Sequence, residues 1–339
     1  MSQTNNEIFV TVIVATYNPQ LNKVLETINS ILLQEDVKKQ IIIADDGSET
    51  NNFVQYESFL KKKGFTDYKL LSSSKNQGTI RNFARCTKEC KGRYIKMISP
   101  GDYIYDSSTL RDWVEWMEKN RLLMSVGDAF YYERKNDGCK LIKEHSFPQA
   151  PKVLNQSNER KKKYYQLIYN DYWLGAATLI ERETFEKYIN IVKDLAVYGE
   201  DNMYRIAACD GIRRGYYQKQ VVMYEADTGV SSLGDKGNKW HSTLMDEWIK
   251  TNEFILKRLD VDKNFKRKFE KFVCWKRQNV DIREAKIAGK NLTKIVSRVV
   301  VLYFCIPDMI VWSVRRVLFP RRSKININSR IVCNIFEIE

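Results

Sequence analysis

The sequence predicts an α/β fold: a mainly parallel sheet with crossover helices, followed by a basic helical C-terminal extension. Two observations carry this. Short β-branched apolar runs alternate with segments of helical periodicity between residues 8 and 98, the pattern of strands joined by crossover helices. Beyond about residue 240 the chain turns helical and basic.

The elements follow in order. Ile8 to Ala15 form a β-branched run that stops at the turn residues Thr16-Tyr17-Asn18-Pro19, so a buried strand is expected there. Leu21, Leu25, Ile28, Ile31 and Leu32 recur at helical spacing. Ile41 to Ala44 make a second apolar run, ended by Asp45-Asp46-Gly47-Ser48. A helix, a short strand at Tyr68–Leu71, a helix through Arg85 and a strand at Tyr94–Ile98 complete the alternation. Ligands of such sheets gather at the carboxyl ends of the strands. Those ends carry Tyr17, Asp45, Asp46, Asn76, Arg81 and Asp102. The middle reads as a strand near Leu123–Tyr132, a hairpin turn at Asn136-Asp137-Gly138, and a helix from about Glu200 through Ala207.

Composition narrows the function. Lys and Arg outnumber Asp and Glu by 56 to 42, a net charge of +14 over 339 residues. The excess suits an anionic partner: a nucleotide diphosphate, an acidic lipid surface or nucleic acid. Nucleic acid is excluded as the expected partner. The chain lacks zinc fingers and the aromatic-glycine pattern of RNA-binding sheets, and the Asp45-Asp46 pair would repel a phosphate backbone. Seven scattered cysteines and two histidines rule out a His-rich metal site and read as reduced thiols. The first residues lack a basic segment followed by an apolar stretch, so no export signal is expected and a cytoplasmic location is.

The region Ile295–Val317 is apolar and flanked by Lys294, Arg298, Arg315, Arg316, Arg321 and Arg322. The 16 residues Val299 to Val314 would span only ~24 Å as a helix, short of the ~30 Å hydrocarbon core. Pro307 and Asp308 also interrupt it. A pair of interfacial helices on an anionic membrane surface is expected; a helical pair packed onto the domain is the competing reading.

Five short motifs stand in order: Val12-Ile13-Val14-Ala15-Thr16-Tyr17-Asn18, Ile42-Ile43-Ala44-Asp45-Asp46-Gly47-Ser48, Asn76-Gln77-Gly78-Thr79-Ile80-Arg81-Asn82, Ser99-Pro100-Gly101-Asp102 and Gly199-Glu200-Asp201-Asn202. In order and spacing they resemble the inverting family 2 glycosyltransferases of the GT-A (Rossmann-like) fold, of the bacterial capsule and exopolysaccharide type. The resemblance covers about residues 8–235. It implies a nucleotide diphosphate sugar donor, probed here by Thr16, Tyr17, Asn18, Asp45, Asp46, Asn76, Arg81 and Gly101, with the base contacted by Tyr17 and Asp46. It implies Asp102 as ligand of Mg²⁺ or Mn²⁺, although Ser99 and Gly101 stand where the family usually has further aspartates. Trp173 and Gly175 match its acceptor side, and Asp201, beside Glu200, its catalytic base.

The residues support these roles on their own chemistry. A strand-end carboxylate and an aromatic face both recognise a uracil ring; an ordinary turn with a capping Asp is the other reading of Asp45-Asp46. Arg81 offers forked donors to a diphosphate or is a surface arginine. Asp102 can neutralise a leaving diphosphate through a cation or sit in a plain tight turn. Asp201 can deprotonate an acceptor hydroxyl, or simply favour a helix N-terminus. Trp173 can stack on a sugar or fill the core. Residues 228–241 are small, polar and basic and resemble a mobile lid bringing Lys236, Lys239 or His241 to the diphosphate. The domains expected are 1–235 (nucleotide half 1–110, acceptor half 111–235) and 236–339, with segment 290–322 membrane-associating. The acceptor expected is a polyprenyl-diphosphate-linked glycan; oligomeric state is not legible.

Overall fold

The computed structural model describes residues 9–135, 138–142, 147–226, 238–287 and 307–321. Three parallel strands open the chain: β1 (Phe9–Thr16), β2 (Lys38–Asp45) and β3 (Tyr68–Ser72), joined by α1 (Leu21–Leu32) and α2 (Phe53–Lys62). Helix α3 (Thr79–Cys86) crosses to β4 (Tyr94–Ile98), which lies parallel to β1 on its other side. The strands are buried on both faces: Val10, Val12, Ile13, Val14, Ile41, Ile42 and Ile43 are fully buried. Continuous β-branched runs rather than alternation are what a sheet covered on both sides requires.

The second half departs from the expected parallel order. After β5 (Tyr103–Ile104) and α4 (Thr109–Lys119) come β6 (Met124–Lys135), β7 (Gly138–Leu141), β8 (Thr178–Glu181) and β9 (Arg214–Glu225). The sheet runs β3-β2-β1-β4-β8-β6-β9-β5, with β7 beside β6. Pairs β4–β8, β6–β8, β5–β9 and β6–β7 are antiparallel and β6–β9 is parallel. The sheet is parallel in its first half and mixed in the other. The β6–β7 pairing, in which Lys135 faces Gly138, matches the hairpin expected at that place.

Helices α5 (Glu159–Lys163), α6 (Arg182–Val192) and α7 (Asp201–Cys209) pack around this sheet, followed by α8 (Asn238–Arg258) and α9 (Lys263–Ile287). Trp248, Ile255, Phe265, Phe269 and Phe272 of α8 and α9 belong to the main hydrophobic cluster, so these two helices share one core with the sheet. Helix α10 (Pro307–Leu318) begins on its proline, which suits a first helical turn because no amide hydrogen is needed there. No helix among the described residues is long and apolar enough to cross a membrane.

Candidate functional site

The carboxyl ends of β1 and β2 place Thr16 and Asp45 opposite each other in register. Asp45 is committed to its own turn: its carboxylate accepts the Ser48 amide at 3.0 Å, the Ser48 hydroxyl and the Thr16 hydroxyl. That is the capping role, so Asp45 shapes the loop. Asn18 ties the β1 loop to the same turn, its amide donating to Ser48 Oγ at 2.7 Å and its side-chain oxygen accepting the Glu49 amide at 3.0 Å. Tyr17 is half exposed, at 53%, leaving its ring open to a flat ligand.

Asp46 is buried and accepts the amides of Gln77 (3.0 Å) and Gly78 (2.8 Å). Burial raises its pKa, and those two amides oppose the rise. Asn76 accepts the Gly78 amide at 3.0 Å, closing the turn that Asp46 holds. Gly78 has φ +90°, and a Cβ there would lie 2.1 Å from Val197 Cγ1, so the loop runs hard against the chain segment before Glu200.

Arg81 lies exposed in the first turn of α3. Arg85, one turn later, is the arginine that braces the strand ends, donating to the carbonyls of Asp45 (2.7 Å) and Leu71 (2.9 Å). Sequence reading missed it because the choice followed proximity to Asn76-Gln77-Gly78 rather than helical phase.

Asp102 follows β4 and is buried. Its carboxylate accepts the Glu225 amide at 3.1 Å. Burial pushes its pKa up, and the buried Lys96 ammonium pulls it back down. Lys96 donates to the carbonyls of Met97 (2.8 Å) and Ala176, and so staples this strand to the acceptor-side turn. Gly101 has φ +95° and a Cβ there would meet Glu225 Oε2 at 2.2 Å. An aspartate at position 101 therefore has no room, because Glu225, held by Lys23 at 2.6 Å, fills the space. Among the described residues no group of three or more His, Cys, Asp or Glu side chains is arranged to hold a metal ion. The donor set fits a cation bound chiefly through phosphate oxygens, with Asp102 as its protein ligand.

Glu200 and Asp201 start α7. Burial, with the Asp201 charge beside it, pushes Glu200 up to about 7. Burial also raises Asp201, against the pull of Arg205 one turn on. Gly175 lets the Glu200 carboxylate approach: a Cβ there would lie 2.3 Å from its Oε1. The loop before the pair is clamped by Glu247 of α8, whose carboxylate accepts the amides of Val197 (2.9 Å), Tyr198 (3.2 Å) and Gly199 (3.0 Å). Sequence reading did not single out Glu247.

Trp173 is not a sugar platform. It is 2% exposed and stacks on Tyr204 with ring centroids 5.2 Å apart, so it fills the core. The open rings nearby are Tyr17 and the half-buried Tyr198. Of the lid residues, Lys236 lies outside the described residues; Lys239 and His241 fall in the first turn of helix α8 rather than a loop, and their side chains lie outside the described residues.

The segments that carry the expected centres are linked to one another. The Val197 carbonyl accepts the Ile80 amide at 3.0 Å, joining the Asp46-held loop to the loop of Glu200-Asp201. Tyr198 feels the charges of Glu247 and Asp46 and the phenol of Tyr17, and Tyr224 feels both Asp102 and Glu200.

Known proteins share the sequence pattern and the fold. An uncharacterised glycosyltransferase of Rickettsia conorii is 28% identical over 144 residues, 42% of this chain and 22% of that protein. A second, of Rickettsia felis, is 29% identical over 133 residues, 39% of this chain and 21% of that protein. The chain spans about a fifth of the length of these relatives. Among solved structures, S. aureus TarS 1-349 in complex with UDP superposes with TM-score 0.52 at 14% identity, covering 82% of this chain and 72% of that one. The Pyrobaculum calidifontis mannosyltransferase PcManGT, in complex with GDP-Man and Mn²⁺, gives TM-score 0.52 at 12% identity, covering 91% and 86%. These likenesses establish the fold. The family model for glycosyl transferase family 2 matches residues 11–189, more than half of the chain, and the chain belongs to that family.

Proposed function

We propose that the protein transfers a glycosyl group, with inversion, from a nucleotide diphosphate sugar to a hydroxyl of a membrane-proximal glycan. The observation that supports this reading is the linkage just described: the Val197 carbonyl joins the Asp46-held loop to the loop of Glu200-Asp201, and Tyr224 lies within reach of the charges of both Asp102 and Glu200. Tyr17 stacks on the base and the Asp46 edge fixes its orientation. A uridine diphosphate sugar is the preferred donor, and a deoxythymidine diphosphate sugar meets the same contacts. TarS with UDP-GlcNAc and PcManGT with GDP-Man support a nucleotide sugar of this class.

In the reaction the acceptor oxygen forms a bond to the anomeric carbon as the bond from that carbon to the diphosphate oxygen breaks on the opposite face. The acceptor proton passes to the Asp201 carboxylate. Burial raises the basicity of Asp201, which suits a general base. Glu200, held against Gly175, orients the acceptor. Asp102 would hold Mg²⁺ or Mn²⁺ together with the phosphates, and such a cation supplies neutralisation of the leaving diphosphate. The nearby Lys96 opposes the rise that burial imposes on that carboxylate.

The lone carboxylate at Ser99-Pro100-Gly101-Asp102 favours a second reading, a nucleotide-sugar-binding relative without catalysis. One experiment separates the two. Asp201→Asn is expected to bind UDP as the unaltered chain does, read by thermal shift with Mn²⁺, while transfer and slow hydrolysis of UDP-hexose fall ~10²–10⁴-fold. Full activity in that variant removes Asp201 from its role; no turnover in either form supports the binding reading.

The finer setting is also proposed: a cytoplasmic protein held peripherally at the inner face of the cell membrane, working on a polyprenyl-diphosphate-linked intermediate of a capsule or similar envelope polymer. Its support is helix α10. Val311, Val314, Val317, Leu318 and Phe319 are exposed at 49–77% beside Arg315 and Arg316, the composition of an interfacial helix.

A further inference from the structure

A cavity of about 800 Å³, lined by none of Asp46, Asp102 and Asp201, opens between the loop after β5, the segment 149–156, strand β9 and helix α10. We infer that this cavity is a second saccharide site, which holds a neutral stretch of the glycan acceptor remote from the reacting hydroxyl. The inference rests on the transferase reading above and adds a ligand site to it.

The wall chemistry is the first argument. Aromatic rings line it, the half-buried Tyr105 and Tyr165 among them, together with the amides of Gln156 and Gln218. Flat apolar rings interleaved with groups that both donate and accept suit a polyol, whose C–H faces are apolar and whose rim is hydroxyl. The volume lies within the range of built ligand sites.

Charge is the second. The carboxylate of Asp128 is taken by Arg321 and by the Tyr216 hydroxyl at 2.8 Å, and that of Asp112 by Lys219 at 3.3 Å. What remains on the wall is Asp106 with Lys152 and Arg315, one carboxylate and two cations. A pyrophosphate carries more negative charge than that single surplus cation answers; a neutral saccharide needs none.

Placement is the third. The wall residues Gln149 and Ala150 donate their amides to the buried carboxylate of Asp171 (Ala150 at 2.9 Å). The next residue, Tyr172, lies within electrostatic reach of Asp201. The cavity wall is thus connected, through Asp171 and Tyr172, to the part of the chain that faces Asp201. Its remaining side is helix α10, fixed by Trp312 Nε1 on the Tyr169 carbonyl (3.1 Å) and by the Arg321 amide on Gln149 Oε1 (2.9 Å). That helix turns Trp312 inward, carries the exposed Arg315 beside the cavity, and leaves Val311, Val314 and, just past its end, Phe319 exposed. A chain carried on a membrane lipid would thus meet the cavity beside the helix proposed to rest on that membrane.

The test uses the full chain on a printed array of neutral hexose, N-acetylhexosamine and deoxyhexose oligomers. Gln156 and Gln218 are exposed, so the double substitution Gln156→Ala, Gln218→Ala leaves the core intact, and Gln218→Trp fills the space instead. The expected result is retention of at least one oligomer series by the unaltered chain and a tenfold or greater loss of retention in both variants, with the thermal shift by UDP unchanged. Transfer to a long glycan acceptor should fall while transfer to a short one holds. Retention of no oligomer, retention insensitive to both variants, or displacement of the glycan by inorganic pyrophosphate each overturns the inference. Loss of the UDP shift in the unaltered chain would instead count against the transferase reading, independently of the array.

Discussion

The carboxylate of Glu247 lies 3.0 Å from the amide nitrogen of Gly199, so helix α8 holds the residue just ahead of the acid pair. The same carboxylate takes the amides of Val197 and Tyr198 and is itself 3% exposed. One buried anion therefore fixes three consecutive amides of the loop that aims Glu200 and Asp201.

Glu247→Ala leaves those amides without their acceptor. Stranding buried donors costs roughly 1–3 kcal/mol each unless water reaches them, so a loss of at least ~2 kcal/mol in urea unfolding is expected. Glu247→Gln keeps one acceptor oxygen and should lose less. Because the loop carries the acid pair, kcat should fall in the alanine variant with the donor KM little altered, and the glutamine variant should recover part of it. A wild-type kcat in Glu247→Ala would mean that the clamp serves stability alone.

Gly78→Ala tests the contact between the two loops. Two effects combine there: φ is +90°, and the added Cβ would stand 2.1 Å from Val197 Cγ1 and 2.7 Å from its carbonyl oxygen. Gly64 provides the control, since its φ is +69° but nothing lies within 4 Å of a Cβ. Gly64→Ala should show the conformational cost alone, about 1 kcal/mol. Gly78→Ala should lose more stability and most of the thermal shift by UDP, because the Gly78 amide helps to hold Asp46. Equal losses in both variants would show that Val197 gives way freely.

The alternation of buried β-branched runs with helical periodicity made the parallel half of the sheet legible, because burial on both faces leaves a compositional mark. The antiparallel half was less so. Strand β8 has four residues, too few to show a period. The site divided in the same way. Asp45 and Asp46 are adjacent and look alike in sequence, yet one folds back on Ser48 and the other reaches Gln77 and Gly78; which way a side chain points is set by tertiary contacts. Trp173 and Tyr17 are both aromatic, and only packing distinguishes the core ring from the open one. Glu247 acts across 48 positions of sequence, and no local pattern marks it.

Glu200 carries a pH dependence whose sign can be worked out. Its pKa is raised from 4.5 to about 7, chiefly by burial and then by the Asp201 charge. The folded state therefore binds this proton more tightly than the unfolded chain. The stabilisation is complete below the unfolded value and is lost as pH rises through about 7. Glu200→Gln stays neutral throughout, so its stability advantage over the unaltered chain should grow between pH 5 and pH 8. Partial exposure trims the effect to roughly 1–2 kcal/mol. Melting temperatures of both forms across that range check it. The titration of Asp102 is common to both proteins and cancels in the difference, whereas Asp201, whose charge acts on Glu200, titrates together with it and belongs to the effect measured. Parallel curves would show that Glu200 is already solvated.

Helix α10 offers the sharpest test of the proposed membrane setting, because its two faces are so unlike. Trp312 is buried, stacked on Tyr169 at 5.0 Å between centroids, so the inner face is settled by protein contacts. Val314 is 49% and Phe319 76% exposed, and substitutions there should leave the fold alone. Burying such a side chain at an interface is worth ~1.5–3 kcal/mol, and 1.4 kcal/mol is tenfold in affinity. Val314→Asp with Phe319→Asp should therefore weaken co-sedimentation with anionic vesicles by at least about tenfold, at an unchanged melting temperature. Arg315→Gln should weaken it less, and only at low salt, since an exposed cation at the headgroups is screened. Removing apolar area and removing charge thus leave different salt signatures. If the double aspartate variant sediments with vesicles as the unaltered chain does, this face does not meet the membrane.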